Sequence, residues 1–308
     1  MKKRYLVTGA AGFIGSRIAA ALLQRGCEVV TIDNLSTGKR ENVPDGCVLI
    51  EGDVFARKII DSLEQHRFDG ILHIAGQSSG EVSFDDPVYD LQTNAKSTLM
   101  LLDYAKKTGC RNFLYASSMS TYGDHENPLV DEESKTQPKS FYAVGKLASE
   151  NYMRIFTGFG IQCTALRFFN VYGVGQNMDN LRQGMASIFL AMALKDRHVL
   201  VKGSKDRFRD FVYIDDVVDA VLKALHREQG EAFEVYNVST GIPQTVETII
   251  ETIRKVLPYE VAVEYTSSTP GDQFGIYGSN EKIRKELGWT PQIDFQTGMK
   301  KMIEWAQK

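Results

Sequence analysis

The stretch YLVTGAAGFIGSRIAAALLQRG places Gly9, Gly12 and Gly15 after an apolar run and at the opening of a helical pattern. Glycines so placed permit a tight turn and a close approach of the backbone. The free N–H groups and positive dipole of the helix start suit a pyrophosphate. The next apolar run ends in TIDN, with Asp33 standing 18 positions beyond Gly15, about where an acid bonds the ribose hydroxyls of NAD. A further phosphate on that ribose would meet carboxylate repulsion, so the pattern favours NAD over NADP. A second pair, Tyr142 and Lys146 in SFYAVGKLASE, is spaced to share one face of a helix. A tyrosine near its reference pKa of about 10 is a poor base at neutral pH. A neighbouring ammonium together with a nicotinamide cation favours the phenolate and makes the pair a proton relay.

The segment NFLYASSMSTYGD, Asn112 to Asp124, is an apolar run followed by four hydroxyl residues around one methionine. Ser and Thr side chains bond nearby backbone groups, so by itself the segment reads as a strand that ends in a loop.

These residues need elements to position them. Short β-branched runs, at Tyr5 to Val7, Glu28 to Ile32, Val48 to Ile50, Gly70 to Ile74, Asn112 to Ala116 and Gln162 to Arg167, predict strands. Amphipathic stretches near Phe13 to Gln24, Ala56 to His66, Val88 to Thr108 and Tyr142 to Phe156 predict helices between them. The alternation implies an α/β fold with a doubly wound parallel sheet, whose ligands sit at the carboxyl ends of the strands. After RFFNVYG the alternation loosens. We therefore expect a dinucleotide-binding domain over residues 1–172, with 208–243 partly returning to it, and a smaller C-terminal α/β lobe for substrate from 173–207 and 244–308.

At 308 residues and a formal net charge of −3, the chain gives no reason to expect a nucleic-acid partner. No run approaches the roughly 18 apolar residues of a membrane span, and the short, Gly-interrupted apolar stretch near Met1 does not read as a signal peptide. Four scattered cysteines suit reduced thiols and a cytoplasmic location, and five histidines form no metal-ligand pattern. His73 in GILHIAG reads as a strand histidine.

With these motifs in order, the chain resembles the extended short-chain dehydrogenases, and within them the nucleotide-sugar epimerases and dehydratases. The resemblance rests on TGAAGFIGS, TIDN, EGDV, HIAGQSS, DPVYDLQTN, ASSMSTYG, YAVGK, LRFFNVYG, RDFVYIDD and PGD followed by KIRKELGW. It implies a Rossmann sheet holding NAD through the glycine turn with Phe13 and Ile14, and through Asp33 and Asn34. It further implies Asp53 and Val54 flanking the adenine, Ala75, Gly76 and Gln77 lining the cofactor, and Asn94 supporting the site. Ser118, Tyr142 and Lys146 would form the catalytic triad, Ser118 being the hydroxyl four places before the Tyr of YG, here Tyr122. Ser79, Asn170, Arg209 and Asp272 would meet the nucleotide sugar. The helices near Val88 to Thr108 and Tyr142 to Phe156 would pair with their copies in a homodimer.

Dehydratases of this family carry acids after the catalytic hydroxyl, and decarboxylating relatives a Glu two places after it. Here those places hold Met119 and Ser120. The implied reaction is therefore a 4-epimerisation through a 4-keto sugar, with hydride returned to its other face from the cofactor, in the service of polysaccharide biosynthesis. A 4-ketoreductase, a residual dehydratase or decarboxylase, and a non-catalytic NAD-sensing protein remain open on these grounds. Three departures stand out: Met119 and Gly80, expected on loops near the sugar, and Thr269 where relatives carry a second diphosphate-binding arginine.

Overall fold

The computed structural model describes residues 2–182, 184–227, 230–267 and 274–308. Its main sheet has seven parallel strands. Five are β1 (Arg4–Thr8), β2 (Glu28–Asp33), β3 (Cys47–Glu51), β4 (Gly70–His73) and β5 (Asn112–Ser118); the others are Gln162–Phe168 and Phe233–Val238. From one edge the order is Phe233–Val238, Gln162–Phe168, β5, β4, β1, β2, β3. The chain thus winds outward from β1 to β3, then crosses to β4 and winds the other way. A crevice opens where the direction reverses, at the carboxyl ends of β1 and β4.

Both faces of the sheet are covered, which is why its strands read as nearly continuous apolar runs. Successive side chains alternate between faces. Tyr5 and Val7 enter one core cluster with Ile18, Ala19 and Leu22 of α1 (Phe13–Gln24), and Leu6 enters the other with Ile32, Ile71 and Phe113. The expected helix at Ala56 to His66 is shorter: α2 covers only Arg57–Asp61. The Ser62 hydroxyl bonds back to the Ile59 carbonyl, and the chain goes on through tight turns such as His66 N–H to Leu63 O.

The stretch expected as one helix from Val88 to Thr108 is α3 (Pro87–Leu91), a single π turn at Gln92–Lys96, and α4 (Ser97–Thr108). Ser97 and Thr98 hydroxyls bond the carbonyls of Thr93 and Asn94 inside that turn. A π turn inserts one residue into the helical register, and here it carries the buried Asn94. The helix α5 (Phe141–Phe156) starts from Ser140, whose hydroxyl caps the Ala143 N–H at 3.2 Å, a contact worth about 1 kcal/mol.

Beyond residue 169 the strands Asn170–Tyr172, Phe208–Tyr213 and Pro243–Thr245 form a small sheet, and His198–Lys202 pairs with Ala262–Thr266. A third apolar cluster, including Phe211, Ile249, Phe295 and Met299, lies here. Within 244–308, however, Ile276, Ile283 and Trp289 pack into the first core cluster instead, and the Trp289 ring N–H donates to the Asp216 carbonyl. That part of the segment belongs with the large sheet, because its apolar side chains complete the cover of the sheet face.

Candidate active site

The glycine turn follows β1. Gly9 has a φ of +80°, and a Cβ there would lie 2.9 Å from the Ala75 nitrogen; one at Gly15 would lie 2.1 Å from the Gly9 oxygen. Both positions exclude a side chain so that α1 can start tight against the sheet. At Gly12 a Cβ would meet only the Gly9 oxygen, at 3.3 Å, leaving an open cradle over the first turn of α1. Phe13 and Ile14 give that turn their backbone, while their side chains pack toward the third apolar cluster.

Asp33, at the end of β2, closes the turn from the side, its carboxylate accepting from the N–H groups of Ala11 and Leu35, both at 2.9 Å. Asn34 donates to Asp53 at 2.6 Å, and Val54 is buried beside it. Open glycine backbone, a helix N-terminus and a carboxylate at the second strand end fit a dinucleotide with free ribose hydroxyls. This donor and acceptor set fits NAD.

Across the crevice, Thr8 ties β1 to β4. Its Oγ1 accepts from the N–H groups of Ile74 and Ala75, so its own proton goes to His73 Nδ1 at 2.8 Å. The other ring nitrogen then donates to Ser97 Oγ at 2.9 Å, and Ser97 donates to the Thr93 carbonyl. Burial lowers the His73 pKa to about 3, helped by the charge of Lys146. His73 is a neutral strand histidine that links the sheet to the π turn.

That turn supports the floor of the site. Asn94 donates to the Gln77 carbonyl and to Asp90, and the Gln77 amide donates to Asp90 at 2.9 Å. A Cβ at Gly76 would strike Asn94 Oδ1 at 2.5 Å, so the chain passes flat over this floor. Asp90 was not singled out from sequence, where it sits unremarked in an amphipathic pattern. It is nevertheless buried beside both members of the Tyr142 and Lys146 pair, and it acts on the charge of each.

The structure brings Ser118, Tyr142 and Lys146 together. Ser118 ends β5, and the other two lie one turn apart on α5. Lys146 Nζ donates to the Ala116 carbonyl at 2.8 Å and lies 4.7 Å from the centre of the Tyr115 ring and 5.5 Å from that of Tyr142. Burial draws its pKa down to about 8, against the carboxylates of Asp90 and Glu150, which favour the ammonium. The pKa of Tyr142 is pushed up to about 12, by burial first and by Asp90, while a hydrogen bond from Ser118 works the other way. The expectation that Lys146 would help depress this tyrosine is thus not met in the protein alone. Desolvation outweighs the charges nearby, and the ammonium is engaged with a carbonyl.

The residues expected to meet a sugar are placed less uniformly. Ser79 donates to the Arg182 carbonyl at 3.0 Å, and Asn170 donates to the Asp210 carbonyl at 3.1 Å. Arg209 is buried, donates to the carbonyls of Phe208 and Phe274, and stands near Arg207, whose like charge joins burial in lowering its pKa to about 10. Asp272 and Thr269 lie outside the described residues. Met119 is buried with the first core cluster, and its sulfur accepts from the Asn170 amide at 3.4 Å. Gly80 faces the Ser140 cap of α5, 3.4 Å from its hydroxyl. Among the described residues, no cluster of His, Cys, Asp and Glu side chains could hold a metal ion, and no helix is long and apolar enough to cross a membrane.

The chain matches known proteins along nearly its whole length. The family model described as the NAD dependent epimerase/dehydratase family matches residues 5–239. A UDP-glucose 4-epimerase of Corynebacterium glutamicum is 32% identical over 317 residues, covering 98% of this chain and 95% of the relative. The crystal structure of a Thermus thermophilus UDP-glucose 4-epimerase in complex with NAD superposes with a TM-score of 0.92, at 33% identity and 99% coverage of both chains. That of a Thermotoga maritima UDP-glucose 4-epimerase with UDP-glucose gives 0.93, at 30% identity, covering 99% of this chain and 98% of that one.

Because burial holds Tyr142 as a phenol, nucleotide-free protein at pH 10 should show no phenolate absorbance that Tyr142→Phe removes. Saturation with NAD, which brings a cation to the site, should create such a band. Ultraviolet difference spectra of the two proteins check both statements.

Proposed function

We propose, from the premise that the chain belongs to the NAD dependent epimerase/dehydratase family and is an NAD-dependent nucleotide-sugar epimerase, that it inverts C4 of a UDP-hexose. The observation that carries this reading is the meeting of Ser118, Tyr142 and Lys146 beside the glycine turn, with no acid at positions 119 and 120. The UDP-glucose 4-epimerases similar to it nearly end to end support the choice of substrate.

Bound NAD supplies the acceptor for the hydride of C4 and then its donor. Tyr142 takes the proton of the sugar 4-hydroxyl and later returns it, so one residue serves as base and acid. Ser118 bonds the reacting oxygen. Lys146 would bond the nicotinamide ribose and favour the tyrosinate. Gly9, Gly12, Phe13, Ile14 and Gly15 hold the pyrophosphate, Asp33 and Asn34 the adenosine ribose, and Asp53 and Val54 the adenine. Ala75, Gly76, Gln77 and Asn94 form the wall on the nicotinamide side. Ser79, Asn170, Arg209 and Asp272 would bind the UDP-sugar from the smaller lobe and its border.

We further propose a cytoplasmic homodimer that serves polysaccharide synthesis. Val88, Leu91, Leu99, Val144 and Ile155 are exposed on α3, α4 and α5. An apolar face of this kind is commonly covered by a second copy in a two-fold dimer. Free thiols at all four cysteines fit a reducing compartment.

NMR of UDP-glucose incubated with the NAD-loaded protein should show UDP-galactose forming without net change in cofactor redox state. Tyr142→Phe should lower turnover by about 10² or more and leave NAD affinity nearly unchanged; near-normal turnover in that variant would reject the assignment. Arg209→Ala should weaken UDP binding more than about tenfold, a change of about 1.4 kcal/mol, as read by calorimetry. Sedimentation at micromolar concentration should show a dimer, and the double change Val88→Lys with Val144→Lys should give a monomer.

A further inference from the structure

The four hydroxyls of Ser117, Ser118, Ser120 and Thr121, at the end of β5 and in the turn after it, are not equivalent. Ser117 donates to Glu150 at 2.5 Å and Thr121 to the Ser118 carbonyl at 3.0 Å, so both serve the fold. Ser120 alone addresses the catalytic hydroxyl, and does so twice. Its backbone N–H donates to Ser118 Oγ at 3.2 Å and its own hydroxyl donates to the same oxygen at 3.0 Å. A serine hydroxyl has one proton and two lone pairs. Both acceptor positions of Ser118 are therefore filled from its own turn, and its single proton is left for a partner outside it.

Tyr142 stands on the helix α5, which packs against the turn that carries Ser120, and Ser118 favours its ionisation against burial and Asp90. We propose that Ser120 is a positioning residue that fixes the direction of the Ser118 proton, making Ser118 a one-way donor toward Tyr142 and the sugar O4. The consequence is chemical. A Ser118 free to accept would compete with Tyr142 for the hydrogen bond of the 4-hydroxyl and turn it away from the base, whereas a Ser118 held as donor stabilises negative charge on the tyrosinate or on the oxygen of the keto sugar. Proton transfer then has one acceptor, Tyr142. The idea rests on the epimerase reading for its kinetic part, but the hydrogen-bond inventory is independent of the substrate.

Ser120→Ala isolates the hydroxyl, because the backbone N–H that caps the turn remains. The titratable groups that face Tyr142 are Lys146 on its own helix, Asp90 from α3 and Tyr115 from β5, and the hydroxyl of Ser120 bonds to Ser118. In NAD-loaded protein, Ser120→Ala should move the ionisation of Tyr142, read by ultraviolet titration against a Tyr142→Phe reference, upward by about half a pH unit or more. With UDP-glucose it should lower kcat by up to about tenfold, the scale of one hydrogen bond. The rising limb of the pH profile should move the same way, and KM should change little. Ser120→Thr, which keeps a hydroxyl donor, should restore both readouts. An unmoved Tyr142 ionisation in Ser120→Ala overturns the proposal, whether or not kcat falls. If the wild-type protein does not epimerise UDP-hexoses, the epimerase reading fails, and the titration still decides the role of Ser120.

Discussion

A buried ion pair ties the helix that carries Tyr142 and Lys146 to the strand end that carries Ser118. Glu150, one turn beyond Lys146 on α5, accepts from Arg167 through both oxygens, at 3.0 and 2.7 Å, and from Ser117 at 2.5 Å. Ser117 is the residue before Ser118. The pair thus pins the helix that carries Tyr142 and Lys146 to the strand end that carries Ser118. Arg167 also lies 4.7 Å from the centre of the Tyr122 ring, whose hydroxyl donates to Asn237 on the edge strand. Taking one partner from so buried a pair leaves a charge without compensation and costs about 3–5 kcal/mol. A misplacement of about 1 Å in a reacting group can cost 10² in rate, so the clamp matters to chemistry as much as to stability.

Much of this was legible in the sequence, and what was not has a common cause. The parallel strands and the glycine turn could be read because each is a local pattern, a run of apolar residues or a spacing next to a strand. The split of the long helix at Gln92–Lys96 could not, since nothing in QTNAK departs from helical patterning; the π turn exists because Ser97, Thr98 and Ser149 gather on the carbonyls of Thr93 and Asn94. Asp90 and Glu150 stayed hidden for the same reason. An acidic residue in an amphipathic helix reads as solvated until its partners from other elements are known. Met119 shows the converse, a residue placed correctly on its loop whose direction was set by tertiary packing.

The electrostatic state of the site follows from desolvation first. Burial drives Lys146 and Tyr142 toward their neutral forms; the Asp90 carboxylate acts on both, and that of Glu150 on Lys146. Asp90 steadies the ammonium and opposes the phenolate, so the protein without cofactor rests with the proton on the tyrosine. Further positive charge beside the phenol would favour its ionisation. In the proposed reaction the cation of oxidised nicotinamide would favour the phenolate, and so would couple proton abstraction to the presence of the hydride acceptor.

The side chains after Ser118 then restrict what the activated site can do. Elimination or decarboxylation needs a second proton-transfer group on the sugar. Position 119 is a methionine turned into the core, where its sulfur accepts from Asn170 at 3.4 Å, and the hydroxyl of position 120 is spent on Ser118. Neither side chain carries an acid that could serve C5 or C6. What is left is one ionisable group, Tyr142, addressed by one hydroxyl and one ammonium. A single group that must give back the proton it took is compatible with a cycle that ends in the redox and protonation state where it began, and that is the condition an epimerisation meets.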